Sequence, residues 1–481
     1  MPTTRRRVRI AKKSKRQRGF ALLLSLIAIA ILSVLVIDLH ETTGMSFSAA
    51  TAERDQLRAE FLAKSGVNLT RMLIGQERNL RQMLAMPYQM MLKRPPPQLP
   101  VWRFADALLR PFANYNAAKA DIMGAGIDIE GTEGLGKING TFEVQACAEN
   151  GKVNVNDPRM QDLATGQGQV AGLFYGLIGG YQPSPNKFDA LFTGLDEKGR
   201  TTRGELVSNV IDWWDMDEQR ASFDPVLGAM QPGGGGTEDQ DFYRSQRDPY
   251  RTKNAPYDTL EELRLVKGMT DDVWATFVEP DLEDPTRRQV TIYGLARLNP
   301  NEAEPQVLLA RVCTFKDARE QPLCSDPVEQ MKFITLLTTA RSLAGGVPWF
   351  SRGSDFIAFV TGAQEGLYGM LSKLLGGGGG GAGGAGGGAA GGLGLLGGGG
   401  GGGKSGLLFM PLKLQEGDTA RTMRRMFATT GYQFTIDVTG RSGNSQRHIR
   451  AVINTDPQWT PPKPNAGKLP PLGIFAYYRL D

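Results

Sequence analysis

Residues 16–37 read RQRGFALLLSLIAIAILSVLVI, a basic stretch that passes through one glycine into an apolar run. The 18 residues from Phe20 to Ile37 hold only two polar side chains, Ser25 and Ser33. At about 1.5 Å per residue, a helix of this length nearly spans a bilayer core of roughly 30 Å. The stretch therefore predicts a membrane-spanning helix close to the N-terminus.

The charges around this run predict its orientation. Nine Lys or Arg side chains and no acid lie in residues 1–19, whereas Asp38 and Glu41 follow the run. The positive-inside rule then places the N-terminus in the cytoplasm and exports the rest of the chain. The formal net charge of +5 comes from these nine charges, so the remainder carries −4 and nucleic-acid binding is not expected.

Three kinds of exported protein start with such a segment. A secretory signal peptide is excluded, because the small residues Ala50-Thr51-Ala52 lie too far beyond the apolar run for signal peptidase. An uncleaved signal anchor agrees with the hydropathy alone. The third kind depends on the residues directly before the run.

The sequence Arg16-Gln17-Arg18-Gly19-Phe20 resembles the leader of type IV pilins and type II secretion pseudopilins. The resemblance implies that prepilin peptidase cuts after Gly19 and that Phe20 becomes the N-methylated amino terminus. Most relatives carry glutamate at the fifth mature position, where this chain has Leu24. The pseudopilin that usually lacks this glutamate is the K subunit.

Further along the chain, periodicity predicts a helix, several strands and a helical region. Apolar residues at three- and four-residue steps (Leu57, Phe61, Leu69, Met72 and Leu73) extend the first helix to about residue 80, with this stripe packed on a globular body. Residues 141–148 alternate as a strand, and 153–157 form a return strand or an extended exit. Residues 173–277 have a helical pattern, and 432–438 with 448–453 predict a C-terminal hairpin.

Several motifs between residues 210 and 270 resemble the helical domain of the type II secretion minor pseudopilin K (general secretion pathway protein K). They are Val210-Ile211-Asp212-Trp213-Trp214-Asp215-Met216-Asp217-Glu218, Asp248-Pro249-Tyr250-Arg251-Thr252-Lys253-Asn254 and Leu260-Glu261-Glu262-Leu263-Arg264-Leu265-Val266-Lys267-Gly268-Met269-Thr270. The resemblance implies an α+β fold. In this fold a long pilin-like N-terminal transmembrane helix packs on an antiparallel sheet that carries a large inserted all-α domain of SAM-like or helix-hairpin-helix-like form.

The sequence predicts seven segments with distinct roles. They are a cleaved leader (1–19), the transmembrane and amphipathic helix (20–85), the first part of the body (86–158), the inserted helical domain (159–290), a second helical unit with the return to the body (291–375), a Gly-rich flexible linker (376–403) and the C-terminal β part of the body (404–481).

Two loop-flanking acidic clusters are candidates for a cation site. They comprise Asp212, Asp215, Asp217, Glu218, Glu238, Asp239 and Asp241. Carboxylate oxygens suit Ca²⁺, but the twelve-residue EF-hand pattern is absent, and the residues by themselves favour a solvated acidic surface. The resemblance to protein K implies calcium with a structural role, and it points to Asp215, Asp217, Glu238, Asp239 and Asp241 as ligands.

Other motifs are consistent with a structural protein. Cys313 and Cys324 either close a short disulfide loop in an oxidising compartment or stay thiols, and Cys147 is expected to be a buried apolar residue. Residues 398–405 satisfy a P-loop pattern, but within 376–403 glycine occupies 21 of 28 positions and supplies that pattern by composition. His448 is the only histidine far from the membrane segment, so no Ser-His-Asp triad is supported.

The sequence therefore predicts a non-enzymatic minor pseudopilin of a type II secretion system. The resemblance implies that it caps the pseudopilus tip, starts assembly with minor pseudopilins I and J, and spans the bacterial inner membrane once with its body in the periplasm. One alternative is a minor pilin of a type IV pilus or DNA-uptake system. A second alternative is a membrane-anchored periplasmic hydrolase that uses the acidic clusters.

Overall fold

The structure is a computed structural model. It describes residues 15–113, 119–122, 125–128, 140–157, 166–182, 185–192, 201–237, 240–282, 284–294, 297–343, 347–364, 366–375, 408–414, 418–456 and 472–481. The leader up to residue 14, the Gly-rich tract 376–403 and the P-loop-like residues 398–405 lie outside these ranges.

The described residues form thirteen α-helices and ten strands. The helices are α1 (Lys15–Leu92), α2 (Ala105–Ala113), α3 (Gly168–Leu177), α4 (Arg203–Asp212), α5 (Gln240–Arg244), α6 (Asp271–Val273), α7 (Pro305–Cys313), α8 (Lys316–Arg319), α9 (Pro322–Ser325), α10 (Pro327–Leu343), α11 (Gly353–Val360), α12 (Leu367–Leu375) and α13 (Asp418–Arg425). The strands are β1 (Lys119–Ile122), β2 (Ala125–Asp128), β3 (Thr141–Ala148), β4 (Val153–Asn154), β5 (Gln219–Asp224), β6 (Ala229–Thr237), β7 (Val290–Thr291), β8 (Gln433–Ser442), β9 (Ser445–Asn454) and β10 (Ile474–Leu480).

Helix α1 is one continuous rod of 78 residues that extends past the predicted end near residue 80. Its apolar part from Phe20 onward is long and hydrophobic enough to cross a membrane, with none of the most apolar window buried. Pro87 lies inside the last turns, and the helix ends before the proline tract that begins at Pro95. The proline-rich residues 95–100 cannot continue a helix, so the chain leaves α1 just before them.

The face of α1 that packs on the body differs from the predicted stripe. Leu57, Phe61 and Met72 are exposed, and Leu69 and Leu73 are only partly buried. The buried residues are instead Ala59, Leu62, Ala63, Val67 and Ile74. The physical reason is the close approach of α1 to β8. A Cβ on Gly440 would lie 2.1 Å from the backbone oxygen of Ala59, so at this point the helix contacts the strand through small residues rather than through its largest ones.

The body is a four-stranded antiparallel sheet in the order β10-β9-β8-β3. The predicted hairpin is present as β8 and β9, which turn at Gly443, where φ is +56°. The sheet face toward α1 carries alternate apolar residues of β3, β8 and β9, among them Val144 and Val438, which lie opposite each other. Trp102, in the short helix before α2, packs on Phe434 with ring centroids 4.7 Å apart. The α+β fold class, with a long helix on an antiparallel sheet, is confirmed.

A second hydrophobic core lies in the helical unit that includes α3 to α12. Strands β4 and β7 pair in parallel, Val153 with Val290, so the chain enters and leaves the first part of this unit at adjacent positions. Residues 153–157 thus do not return along β3. The disulfide Cys313–Cys324 links the end of α7 to α9, with Cα atoms 5.6 Å apart, and Cys147 is a buried free cysteine.

Residues 173–277 are less uniformly helical than their pattern predicts. A two-stranded hairpin, β5 and β6, follows α4. Helix α4 holds its first strand through two side chains: Ser208 Oγ accepts from the amide of Phe223 (2.9 Å), and Asp212 Oδ1 accepts from the amide of Ala221 (3.2 Å). These hydrogen bonds join residues 15 and 9 positions apart. Hydrophobic periodicity does not predict such contacts.

Candidate functional site

The membrane-facing end of the molecule is the first half of α1. Gly19 and Phe20 lie within this helix, four and five residues after its start at Lys15. Phe20 and Leu24 are exposed, as are the other large apolar residues up to Phe47. A helix with apolar residues on all sides and no protein around it requires an apolar surrounding medium. The predicted cleavage point therefore lies at the start of the membrane-competent segment.

The motif residues that carry the resemblance to protein K build the core of the helical unit. Trp213 packs on Tyr243 and Tyr250 with ring centroids 5.8 and 6.1 Å away, and Tyr257 donates from its hydroxyl to the carbonyl oxygen of Val210 (2.8 Å). All except Tyr250 are fully buried. These residues hold the segments 210–218 and 240–258 together, which is a structural role.

Residues 259–278 form two short helices, each capped by a threonine that precedes it. Glu262 accepts from the amide of Thr259 (3.2 Å), and Thr270 Oγ1 accepts from the amide of Val273 (3.2 Å). Between them Gly268 has φ +85°, a conformation that favours glycine. The guanidinium of Arg264 stacks 4.2 Å from the Trp274 ring and donates to Asp271 (2.9 Å). Arg264 is thus held against the hairpin itself.

The structure describes only part of the predicted calcium site. Asp215 is buried, and Asp217 accepts from the amide of Gln219 (2.8 Å). Asp241 lies in α5, while Glu238 and Asp239 are outside the described residues. In the described ranges, no group of three or more His, Cys, Asp or Glu side chains is arranged to hold a metal ion. The described acids alone do not form a cation cage, so calcium stays a prediction from the resemblance.

A buried polar network lies where the sheet meets the helical unit. Glu149 accepts from Lys152 Nζ (2.7 Å) and from Thr435 Oγ1 on β8 (2.6 Å), and it also accepts from the hydroxyl of Thr291 on β7. Lys152 Nζ lies 3.2 Å from Cys147 Sγ. One carboxylate thereby joins β8 of the body to β7 of the helical unit.

The charges in this network are set by burial and by each other. Burial opposes ionisation of Glu149, yet the Lys152 ammonium and the hydroxyls of Thr291 and Thr435 hold its pKa below the usual value. Burial also works against the Lys152 ammonium, but Cys147 and Glu149 raise the pKa of Lys152. Burial raises the pKa of the Cys147 thiol to about 11, so Cys147 is an unreactive thiol at neutral pH.

Sequence reasoning missed this network. Residues 149–152 have a turn composition, Glu-Asn-Gly-Lys, and a charged turn is normally solvated. The only local signal is the opposite charge of Glu149 and Lys152 three residues apart. Their partners Thr291 and Thr435 are 142 and 286 residues away from Glu149. Such distant partners become visible only in the folded chain.

Residues 180–278 match the family model of the type II secretion system (T2SS), protein K. This segment of the chain is similar to the protein K family. The resemblance stated from the sequence motifs is thereby confirmed for this region, which contains α4, the β5–β6 hairpin and the capped segment around Gly268. No curated protein matches the chain.

One similar solved structure is that of the GspK–GspI–GspJ complex from the enterotoxigenic Escherichia coli type 2 secretion system. One of its chains aligns with 84% of this chain and 98% of its own length, at 10% sequence identity and a TM-score of 0.36. Similarity at that level carries no argument by itself, so the assignment depends on residues 180–278 and on the architecture described above.

Proposed function

We propose that the chain is the minor pseudopilin K of a type II protein secretion system. In this role it is a structural subunit that caps the pseudopilus tip and starts assembly with minor pseudopilins I and J. The observation that carries the proposal is the protein K domain at residues 180–278, inserted in a body of pilin-like form. The similar E. coli structure contains GspK, GspI and GspJ together, which supports the choice of partners.

The properties of helix α1 support the role of a membrane-anchored subunit. Its exposed apolar half supplies the anchor, and its second half fixes the body through Leu62, Val67 and Ile74. Leu24 replaces the carboxylate that other pilin-like subunits carry at this position. A subunit without that carboxylate lacks a partner for a neighbour's terminal amine in the bilayer, which suits a position at one end of a filament.

The orientation that we propose places the body in the periplasm. The nine positive charges before the membrane segment support a cytoplasmic N-terminus. The disulfide Cys313–Cys324 supports an oxidising compartment for the helical unit. The proposed role needs no catalytic group, so we also propose that the chain is not an enzyme.

We also propose a structural calcium ion between the loop after α4, with Asp215 and Asp217, and the segment 238–241, with Glu238, Asp239 and Asp241. Five carboxylates within 27 residues provide oxygen donors of the kind that Ca²⁺ prefers. Calcium would bring the loop after α4 to the residues before α5. Thermal unfolding of the chain with calcium or with a chelator tests it: chelation should lower Tm, and equal Tm values would contradict the ion. Asp224→Asn, an exchange outside the predicted ligand set, is the control for charge removal.

Complex formation tests the tip assignment. The full-length chain, tagged at its C-terminus, is expressed with the I and J pseudopilins of the same secretion system and purified in detergent. Co-purification of all three in fixed ratio is the expected result. Retention of neither partner would overturn the assignment, and the major pseudopilin serves as a control for non-specific association of apolar helices.

A further inference from the structure

The free edge of the body sheet borders a large cleft. Among the residues that the structure describes, strand β3 is the last strand of the sheet and pairs on one side only, with β8. A cavity of about 660 Å³ follows its outer side from Val144 to Ala148. The opposite wall comes from the helical unit, where residues 284–289 approach the strand. The cleft thus lies between the two halves of the molecule.

The backbone of β3 presents unused hydrogen-bonding groups to this cleft. The backbone amide of Val144 donates to Asp106 Oδ1 of α2 (3.2 Å), so the backbone N–H of Val144 points away from β8. In an extended strand alternate residues point the same way, and Ala146 and Ala148 therefore also face the free edge. In the part of the chain that the structure describes, no strand pairs with this side of β3, and no hydrogen bond from a turn or loop backbone reaches the amides of these two alanines.

The cleft reaches both faces of β3, as a site for an added strand must. On one face it touches Trp102, whose indole N–H is buried without a hydrogen-bond partner. On the other face it touches Lys152 and Arg288. Five residues of extended peptide span about 17 Å, the length of the lining segment 144–148, and the volume is within the range of about 300–1,000 Å³ usual for ligand sites.

The charges of the cleft favour an acidic ligand. Four cationic side chains and three carboxylates line it, which are Arg103, Lys152, Arg287 and Arg288, with Asp284, Glu302 and Glu304. Asp284 accepts from the amide of Thr286 (2.9 Å), and Glu302 is bonded to Arg103 (2.8 Å). Lys152 and Arg288 are paired with Glu149 and Glu279, which do not line the cleft, so these two cations are already compensated. The Arg287 side chain is 64% exposed, and its acid partner Asp281 is 3.4 Å away. Arg287 is therefore the rim cation most available to an incoming carboxylate.

We propose that this cleft binds an extended, acidic peptide segment of another protein, which adds a fifth strand to the sheet beside β3. The outward amides and carbonyls of Ala146 and Ala148 supply the backbone hydrogen bonds, and Arg287 selects acidic side chains. An uncovered strand edge is prone to non-specific pairing with other chains. The helical unit encloses the cleft and thereby limits such pairing. The inference goes beyond tip assembly and does not depend on it.

Peptide binding to the full-length chain in detergent micelles tests the proposal. The probe is a capped heptapeptide of alternating valine and glutamate, titrated by calorimetry at low salt. Saturable binding is expected. A peptide with methylated amides at alternate positions should bind at least about tenfold more weakly, because it cannot pair with the strand edge. A valine–lysine peptide should also bind more weakly.

Two variants locate the site on the chain. Arg287→Glu should weaken binding of the acidic peptide about fivefold, whereas Arg54→Glu, a similarly exposed arginine on α1, should leave it unchanged. Ala146→Pro removes one outward amide and no bond to β8, and it should weaken binding about tenfold with an unchanged Tm.

Absence of saturable binding would overturn the proposal, and so would equal binding of the methylated peptide or of both variants. A further outcome is that the chain dimerises without binding any peptide and that Ala146→Pro abolishes this dimerisation. That result would show that the edge binds a second copy of the chain, and it would equally overturn the peptide proposal.

Discussion

The Nζ atom of Lys152 lies 2.7 Å from Oε1 of Glu149, and both residues are buried at the junction of the sheet and the helical unit. Because both charges are removed from water, each charged group is stabilised in the folded state by the other. Because Glu149 also accepts from Thr291 and Thr435, the pair fixes how the helical unit is attached to the body.

Lys152→Met should be strongly destabilising. It leaves the Glu149 carboxylate buried without its cation, and the expected loss is about 3–5 kcal/mol in the free energy of unfolding. Urea unfolding followed by tryptophan fluorescence measures it. Adding Glu149→Gln should recover part of the loss. Glu143→Gln, which removes the exposed ion pair with Arg441, is the control and should cost at most about 1 kcal/mol. Equal losses for Lys152→Met and the control would contradict the role of the network.

The network also predicts how stability depends on pH. The folded pKa of Glu149 is lowered from 4.5, so its contribution is present above pH 4.5 and is lost as pH falls through the folded value. The pKa of Lys152 is raised from 10.5, so its contribution is present below pH 10.5 and is lost as pH rises further. In unfolding experiments from pH 3 to 7, the Glu149→Gln variant should lose less stability in acid than the unchanged chain. Parallel curves would count against this assignment.

Removal of the disulfide should destabilise the helical unit. Cys313→Ser with Cys324→Ser opens a loop with a sequence separation of 11 residues, and the expected cost is about 3 kcal/mol. Thiol alkylation under non-reducing conditions, followed by mass spectrometry, checks the pairing. Only Cys147 should react, and only after unfolding, because it is buried and its pKa is raised to about 11. Alkylation of Cys313 without reduction would contradict the bridge.

Processing of the leader can be read from the mass of the mature chain. Cleavage after Gly19 should leave Phe20 as a methylated amino terminus, and Gly19→Leu should block it because the resemblance to pilin-like leaders places glycine before the cleaved bond. Intact-mass analysis of the membrane fraction measures both products. Ser25→Ala, a substitution inside the apolar segment, should be processed normally. An unprocessed chain in cells that contain prepilin peptidase would favour the uncleaved anchor.

The sequence predicted those elements that depend on near neighbours. The apolar run after Gly19 determines the membrane-competent helix, and Thr259 and Thr270 determine caps through residues three positions away. The β8–β9 hairpin follows from alternation around a glycine-containing turn. Glycine at position 440, by contrast, gave no sign that α1 crosses the strand there, since the close approach to Ala59 joins residues far apart in the chain.

The sequence by itself determined the membrane-competent helix near residue 20 and the similarity of residues 180–278 to protein K, because hydrophobicity, charge order and short motifs are local properties. Tertiary structure alone decided which face of α1 is buried, that β3 joins the sheet through β8 almost 300 positions away, and that Glu149 is buried with Lys152. Those outcomes depend on packing and on the removal of water between distant segments. The same long-range pairing leaves β3 with a free edge toward the cleft.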